Sequence, residues 1–346
     1  MKDQIKFIPR IISNKNKTPL YVIFYLTSRC NMRCKHCFYW KELNNLKELS
    51  LGEIDKMSRS MDPLLFLRVT GGEPFLRKDF INIIRIFYKN NGLKNLGINT
   101  NGFFTKVIVA NIKKILNEMD IKLDVCVSID DLEEEHDNNR QTKGAYSNAL
   151  KTIKELNKLK NYYPNFTTTV GLTVFSENQN RLDAIFNEIS KINPSFISAN
   201  LARGETRKEK IKRVNIKNYL NFFDKIINYN KKSNFYFNTQ MKDKMLSKKV
   251  SKTYLENRYQ GIDCVAGDKV GVIYSNGEVF PCELLKEKIG DLKDFNFDFK
   301  RLWNSERRKE ISKNILKNRC FCTHECFLTS SMFLNPKNFI KCFIKK

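Results

Sequence analysis

Residues 20–37 read LYVIFYLTSRCNMRCKHC. The first seven residues are apolar, β-branched or aromatic, as a strand buried on both faces requires. Three cysteines follow at once, Cys30, Cys34 and Cys37, in the spacing C-x3-C-x2-C. A structural zinc site is closed by four ligands, and a ferredoxin cluster is likewise held by four thiolates. Three thiols in one short loop therefore leave a metal position unfilled, and an unfilled position is where chemistry can happen. The alternative is chance clustering in a chain with 10 cysteines among 346 residues.

Outward from this stretch, strand-like and helix-like segments alternate to about residue 200. Ser50 and Glu53 form a capping box that opens the helix LGEIDKMSRSM. LLFLRVT (64–70) is a second buried strand, and KDFINIIRIFYKNNG (78–92) has helical spacing and a glycine stop. LKNLGINT, IKLDVCVSI, TTTVGLTVF and PSFISANLA continue the strands, with helices around VIVANIKKILNEM, AYSNALKTIKELNKLK and RLDAIFNEISKI between them. About six β-α units imply an α/β fold with a parallel sheet, either open and doubly wound or a full or partial barrel. In each, ligands gather at the carboxyl ends of the strands. CNMRCKHC follows the first strand, TGGEP the second, NTNG the third and SIDD the fourth, so these motifs converge on one mouth.

The hydrophobic fraction of 41% supports a sizeable core, and no apolar run reaches the roughly 18 to 20 residues of a membrane span. MKDQIKFIPRIIS has no apolar segment of the signal-peptide kind, so a cytoplasmic protein is expected, in which clustered cysteines bind metal rather than form disulfides. The formal charge of +25 raises nucleic acid or anionic lipid as a partner, but the lysines are spread along the whole chain. The denser stretch RGETRKEKIKRVNIK (203–217) reads as a solvated helical face. The expected organisation is an N-terminal segment (1–19), a core domain (20–203), a basic helical linker (204–259) and a cysteine-rich domain (260–346). In the last, Cys264 precedes a hairpin with a Ser275-Asn276-Gly277 turn ending at Cys282, and Cys320, Cys322, Cys326 and Cys342 follow.

On these motifs the chain resembles a radical S-adenosylmethionine (radical SAM) enzyme over roughly residues 20–200, and its tail resembles the SPASM or twitch auxiliary-cluster domains. Cys30, Cys34, His36 and Cys37 stand as C-x3-C-x-aromatic-C with His36 in the aromatic slot, and Gly71-Gly72-Glu73-Pro74 as the GGEP motif. The resemblance implies a partial (βα)6 TIM-like barrel with a small cysteine-rich α+β domain. It implies that three thiolates hold a 4Fe-4S cluster whose fourth iron takes S-adenosylmethionine, the source of a 5'-deoxyadenosyl radical. Gly71, Gly72, Glu73 and Pro74 are expected at the methionine end of the cofactor, Asn99, Ser128 and Asp130 near its ribose or the substrate, and His36 against the adenine. Arg140, in HDNNRQTKG, matches the arginine of a His-Asp-x-x-Arg-Gly segment, although Gln141 replaces the glycine and Asp131 replaces the glycine often found after Asp130.

His136 reads as a surface residue, His324 as a cluster neighbour, and Cys126, alternating within a strand, as core. Cys264-x12-Gly277-x4-Cys282 fits the opening of a SPASM-type pattern, but CFCTHEC lacks one cysteine of a two-cluster set. One auxiliary 4Fe-4S cluster is expected, on Cys264, Cys282, Cys322 and Cys326 with Cys320 a close substitute and Cys342 a further candidate. A structural zinc, or two clusters, are the alternatives. The substrate expected is a peptide or small molecule, with a reducing partner such as flavodoxin or ferredoxin. Competing readings are an RNA-modifying radical SAM enzyme, with nucleic acid not favoured as partner, and a non-enzymatic iron-sulfur or zinc redox sensor.

Overall fold

Each apolar run of the first 200 residues forms a parallel strand and each amphipathic run a covering helix. The computed structural model describes residues 6–13, 17–231 and 239–344. The strands are β1 (Tyr21–Thr27), β2 (Phe66–Gly71), β3 (Asn95–Thr100), β4 (Lys122–Ser128), β5 (Phe166–Val174) and β6 (Phe196–Leu201). They are followed by β7 (Val270–Ile273), β8 (Glu278–Phe280) and β9 (Gly290–Asp291). The sheet runs β6-β5-β4-β3-β2-β1-β7-β8-β9, with β1 to β6 parallel in sequence order. β6 and β1 are not neighbours, so the barrel is partial, which resolves the alternatives left open by periodicity.

Alternation along the strands separates two faces. Leu67, Val69, Ile98, Val125, Val127, Ile197 and Ala199 are fully buried under the helices. Their alternates Arg68, Asn99, Cys126, Ser128, Ser198 and Asn200 keep partial exposure on the inner face, which is therefore polar and open to solvent. Cys126 belongs to this inner face, not to the core under the helices: a Cβ on Gly171 of β5 would lie 2.6 Å from its Sγ. The strand's period was right, but the period alone does not say which face is the lumen.

Residues 204–259 are more than a linker. The helix Ile216–Asn230 covers β6 as the sixth barrel helix, and Asn230 completes the hydrogen bonding of that edge strand. Its Oδ1 accepts from the Ile197 amide at 3.0 Å, and its Nδ2 donates to the Ile197 carbonyl at 2.9 Å. Such pairing blunts an exposed sheet edge. The basic stretch 203–217 is a loop with one 3-10 turn, Glu209–Lys212, and helix begins only after the Asn215 cap. Arg203 and Arg207 lie over the Phe38 and Trp40 rings at 5.4 and 4.9 Å, and Trp40 Nε1 donates to the Glu205 carbonyl, so the stretch is spent on the barrel mouth. The second helix of this region spans Thr239–Glu256, and residues 232–238 lie outside the described residues.

The cysteine-rich region is joined to the barrel by its hairpin. β7 pairs parallel with β1, Tyr21 opposite Val270 through Phe24 opposite Ile273, and β8 and β9 extend the sheet antiparallel. Gly271 is required there, because a Cβ would fall 2.6 Å from the buried Trp303 ring. The short C-terminal helix Pro336–Phe339 docks on this region through Asn338, whose Nδ2 donates to the Asp263 and Ser331 carbonyls.

Candidate active site

The loops after β1 and β2 are built against one another. The Gly72 amide donates to the Thr27 carbonyl at 2.8 Å and the Glu73 amide to the Arg29 carbonyl at 2.7 Å. A Cβ on Gly72 would stand 2.1 Å from the Arg29 oxygen, and one on Gly71, at φ +136°, 2.3 Å from the Thr27 oxygen. Both neighbours are backbone and cannot swing aside, so the glycines are demanded by the docking of GGEP onto the cysteine loop. We expect Gly72→Ala to cost on the order of 3 kcal/mol of stability and to weaken iron retention, measured by thermal melting and iron assay after anaerobic reconstitution.

The cysteine loop is also tied to the helix Glu133–Arg140. The Arg33 and Lys35 amides donate to the Arg140 and Asn139 carbonyls at 3.2 and 2.9 Å, and the Cys30 amide donates to Asn44 Oδ1. All three thiols are free. Burial pushes those of Cys30 and Cys37 up to about 12 and raises that of Cys34. They rest as neutral thiols and lose protons on meeting iron. Among the described residues no three His, Cys, Asp or Glu side chains converge as ligands of a single ion do. A cluster asks something different, one thiolate per iron, and three free thiols within electrostatic reach on one loop fit that demand.

Glu73 is fully buried and accepts from Thr100 Oγ1 at 2.8 Å, the Asn101 amide at 2.7 Å and the Phe75 amide at 3.3 Å. Its carboxyl, raised to about 7 by burial, ties the ends of β2 and β3 together. Asn101 Nδ2 donates to Asn31 Oδ1, which leaves the buried Asn31 Nδ2 without a partner beside the cysteine loop. Of NTNG, then, Asn101 joins the cysteine loop, while Asn99 accepts from Arg68 on the inner face at 2.9 Å.

Asp130 is a buried hub. It accepts from Arg140 Nε at 3.0 Å and from the Thr173 amide at 2.9 Å, and His36 Nε2 lies 3.7 Å away. Burial alone would raise its carboxyl, but Arg140, His36 and His136 hold it well below the carboxylate range. Arg140, expected to meet the cofactor carboxylate, is thus already paired with Asp130. His36 stacks on Phe175 at 5.3 Å. Ser128 lies on the inner face.

His136 is not at the surface: it is fully buried, and its Nδ1 accepts from the Asp130 amide at 3.1 Å. Burial, with Arg140 beside it, lowers its pKa to about 3. Because the folded value lies below the ordinary 6.5, the stability this neutral ring contributes is present above pH 6.5 and lost as pH falls from there toward 3. We expect His136→Asn, which keeps the acceptor, to flatten the melting-temperature profile between pH 6.5 and 4.

In the tail, Cys264, Cys320 and Cys322 line one small cavity, and Cys282 is an electrostatic neighbour of Cys264 and Cys322. These four thiols fit one four-thiolate cluster. The close substitute Cys320 therefore stands where Cys326 was expected. Cys326 turns toward Arg68 and Cys126 on the inner face, and Cys342 has Lys249 and Lys341 as electrostatic neighbours. Cys326 lies in the first turn of the helix Glu325–Leu334, where the His324 ring hydrogen-bonds its thiol. His324 borders the cluster site through its amide, which donates to Cys322 Sγ, while its ring pairs with the buried Glu283. We expect Cys322→Ser to lose about four irons per chain and Cys326→Ser to keep them, measured by iron and sulfide assay.

Sequence reasoning missed Arg68, Arg203, Phe175 and Glu283. Arg68 carried a signal, a charge inside an otherwise apolar strand. Glu283, next to Cys282, accepts from the Tyr25 hydroxyl across the domain boundary and carried none.

Among the described residues no helix is long and apolar enough to cross a membrane. The Radical SAM superfamily profile matches residues 24–189, and the SPASM profile, an iron-sulfur cluster-binding domain, matches 264–327. GTP 3',8-cyclase of Haemophilus influenzae is 33% identical over 111 residues, 31% of this chain and 33% of that protein. The antilisterial bacteriocin subtilosin biosynthesis protein AlbA of Bacillus subtilis is 24% identical over 324 residues, 89% of this chain and 66% of that protein. The chain thus spans less than two thirds of either relative.

Among solved structures, anSMEcpe with bound AdoMet superposes with a TM-score of 0.61 at 17% identity, covering 94% of this chain and 97% of that one. Streptococcus suis SuiB bound to precursor peptide SuiA superposes with a TM-score of 0.61 at 16% identity, covering 92% and 71%. These likenesses show the fold. With the two profiles in this order on a partial barrel, the chain belongs to the radical SAM superfamily and is a SPASM-bearing enzyme of it, whose cofactors are a 4Fe-4S cluster, S-adenosylmethionine and auxiliary iron-sulfur.

Proposed function

We propose that the chain reductively cleaves S-adenosylmethionine and removes a hydrogen atom from an unactivated carbon of a peptide. The observation that carries this reading is the docking of the three-cysteine loop on the GGEP loop at the mouth of the barrel. When bound, the cluster and S-adenosylmethionine supply the 5'-deoxyadenosyl radical, with one electron entering from a reducing partner such as flavodoxin or ferredoxin. The chain's own part is geometric. Cys30, Cys34 and Cys37 would hold three irons, with the unpartnered Asn31 Nδ2 and the Gly71-Gly72 backbone packed beside the same loop. Asp130 and Arg140 brace the rim, and Cys264, Cys282, Cys320 and Cys322 would hold an auxiliary cluster, which would supply a site for electron transfer.

A peptide rather than a small molecule is supported by the similarity to a bacteriocin biosynthesis protein over 89% of this chain and by peptide-bound neighbours of the same fold. The similarity to GTP 3',8-cyclase is confined to about a third of each chain. The test is 5'-deoxyadenosine formation by anaerobically reconstituted protein given S-adenosylmethionine and dithionite. Formation of the nucleoside is expected; none from protein shown to hold its clusters overturns the reading.

A further inference from the structure

The inner face of the barrel holds two guanidinium groups that form no ion pair among the described residues. Arg68 lies across β3, where Gly97 leaves room for it: a Cβ there would meet its Cζ at 2.9 Å and both terminal nitrogens within 3.1 Å. The group is stacked over Phe66 at 5.3 Å and donates to Asn99 and to the Tyr21 hydroxyl. Its Nε is buried without a partner. Arg203, just past β6, stacks on Phe38 and likewise has an unpartnered buried Nε. Asn200 Oδ1, on the same inner face, is unpartnered as well.

The ion pairs of this region are Arg140 with Asp130, Arg181 with Asp131 and His324 with Glu283. Arg68 and Arg203 belong to none of them. Beyond the Tyr21 hydroxyl, Asp124 acts on Arg68 as a more distant charge, Glu283 and Glu325 act so on Arg203, and the thiol of Cys326 lies within electrostatic reach of both guanidiniums. One thiol cannot fill two forks, each shaped for a pair of oxygens. An unpaired cation at a largely buried site is costly to keep unless an incoming anion uses it.

We propose that Arg68 and Arg203 form a carboxylate-binding subsite in the barrel lumen that holds an acidic side chain or the C-terminal carboxylate of the peptide to be modified. The subsite deepens the peptide reading above and rests on it. It sits on the inner sheet face below the cysteine loop, so a carboxylate anchored there presents neighbouring carbons toward the mouth.

Three probes separate the sources: N-acetyl-glutamate amide carries the side-chain carboxylate, N-acetyl-glutamine the terminal one, and N-acetyl-glutamine amide neither. Binding to the reconstituted, cluster-loaded protein is measured by saturation-transfer NMR titration. At least one acid should bind about tenfold more tightly than the neutral probe, the size of one charge-assisted fork contact, and whichever does so names the source. The preference should fall below about twofold in Arg68→Gln and survive in part in Arg68→Lys. The comparison of probes on wild-type protein stands even if a variant does not fold. Equal binding of all three probes by protein that forms 5'-deoxyadenosine overturns the subsite and leaves the proposed function intact, and so does an undiminished preference in folded Arg68→Gln. Absence of 5'-deoxyadenosine strikes the proposed function instead.

Discussion

Anaerobically reconstituted Cys34→Ala protein forms no 5'-deoxyadenosine above background, a fall of roughly 10^3-fold or more, equivalent to about 4 kcal/mol of lost barrier reduction. Cys34, the middle ligand in the proposed function, sits in a loop fastened at both ends, to Asn44 and to the helix Glu133–Arg140. Cys30 and Cys37 would each be committed to an iron of their own, so the loop has no spare thiol to take its place. The same variant should keep about half the iron of the wild type, that of the auxiliary cluster. Loss of all iron would mean that the two clusters depend on each other for assembly. Unchanged nucleoside formation would remove Cys34 from the site.

Asp130→Ala should be the most damaging single change to stability. The carboxylate is buried with Arg140, and removing it leaves a guanidinium without its partner and the Thr173 amide without its acceptor. Breaking such a pair costs about 3–5 kcal/mol, and a drop of roughly 10 °C in melting temperature is expected. The paired replacement Asp130→Asn with Arg140→Met should cost less than Asp130→Ala alone, since neither charge is then stranded. Because the Asp130 carboxyl is held below its unfolded value, its contribution is present above the ordinary carboxylate range and lost as pH falls beneath it. A melting curve for Asp130→Ala within 2 °C of the wild type would show that the hub carries no load.

The order of strands and the convergence of four motifs were legible because both follow from local pattern: period 2 in the strands, period 3.6 in the helices, and the rule that parallel strands present their ligands at one end. The cysteine loop was legible because its spacing is itself chemistry. What sequence could not supply were facts of orientation. Cys126 and Arg68 alternate like core residues, and only the packing of the helices on the opposite face of the sheet leaves their side as the inner one. His136 looked exposed in the polar run EEEHDNNR, yet the Asp130 amide claims its ring. Cys326 stood in an ordinary ligand spacing, yet its thiol neighbours His324, Arg68 and Cys126.

The pairing of β7 with β1 also bears on how the protein is made. Tyr21 is translated roughly 250 residues before its neighbour Val270, and at about 5–20 residues per second the ribosome takes tens of seconds to bridge that gap. Through that interval the nascent barrel shows a bare, apolar β1 edge next to three unmetallated thiols. Chaperone holding of the emerging chain, and delivery of iron only after release from the ribosome, are the natural timetable for a strand whose partner arrives last.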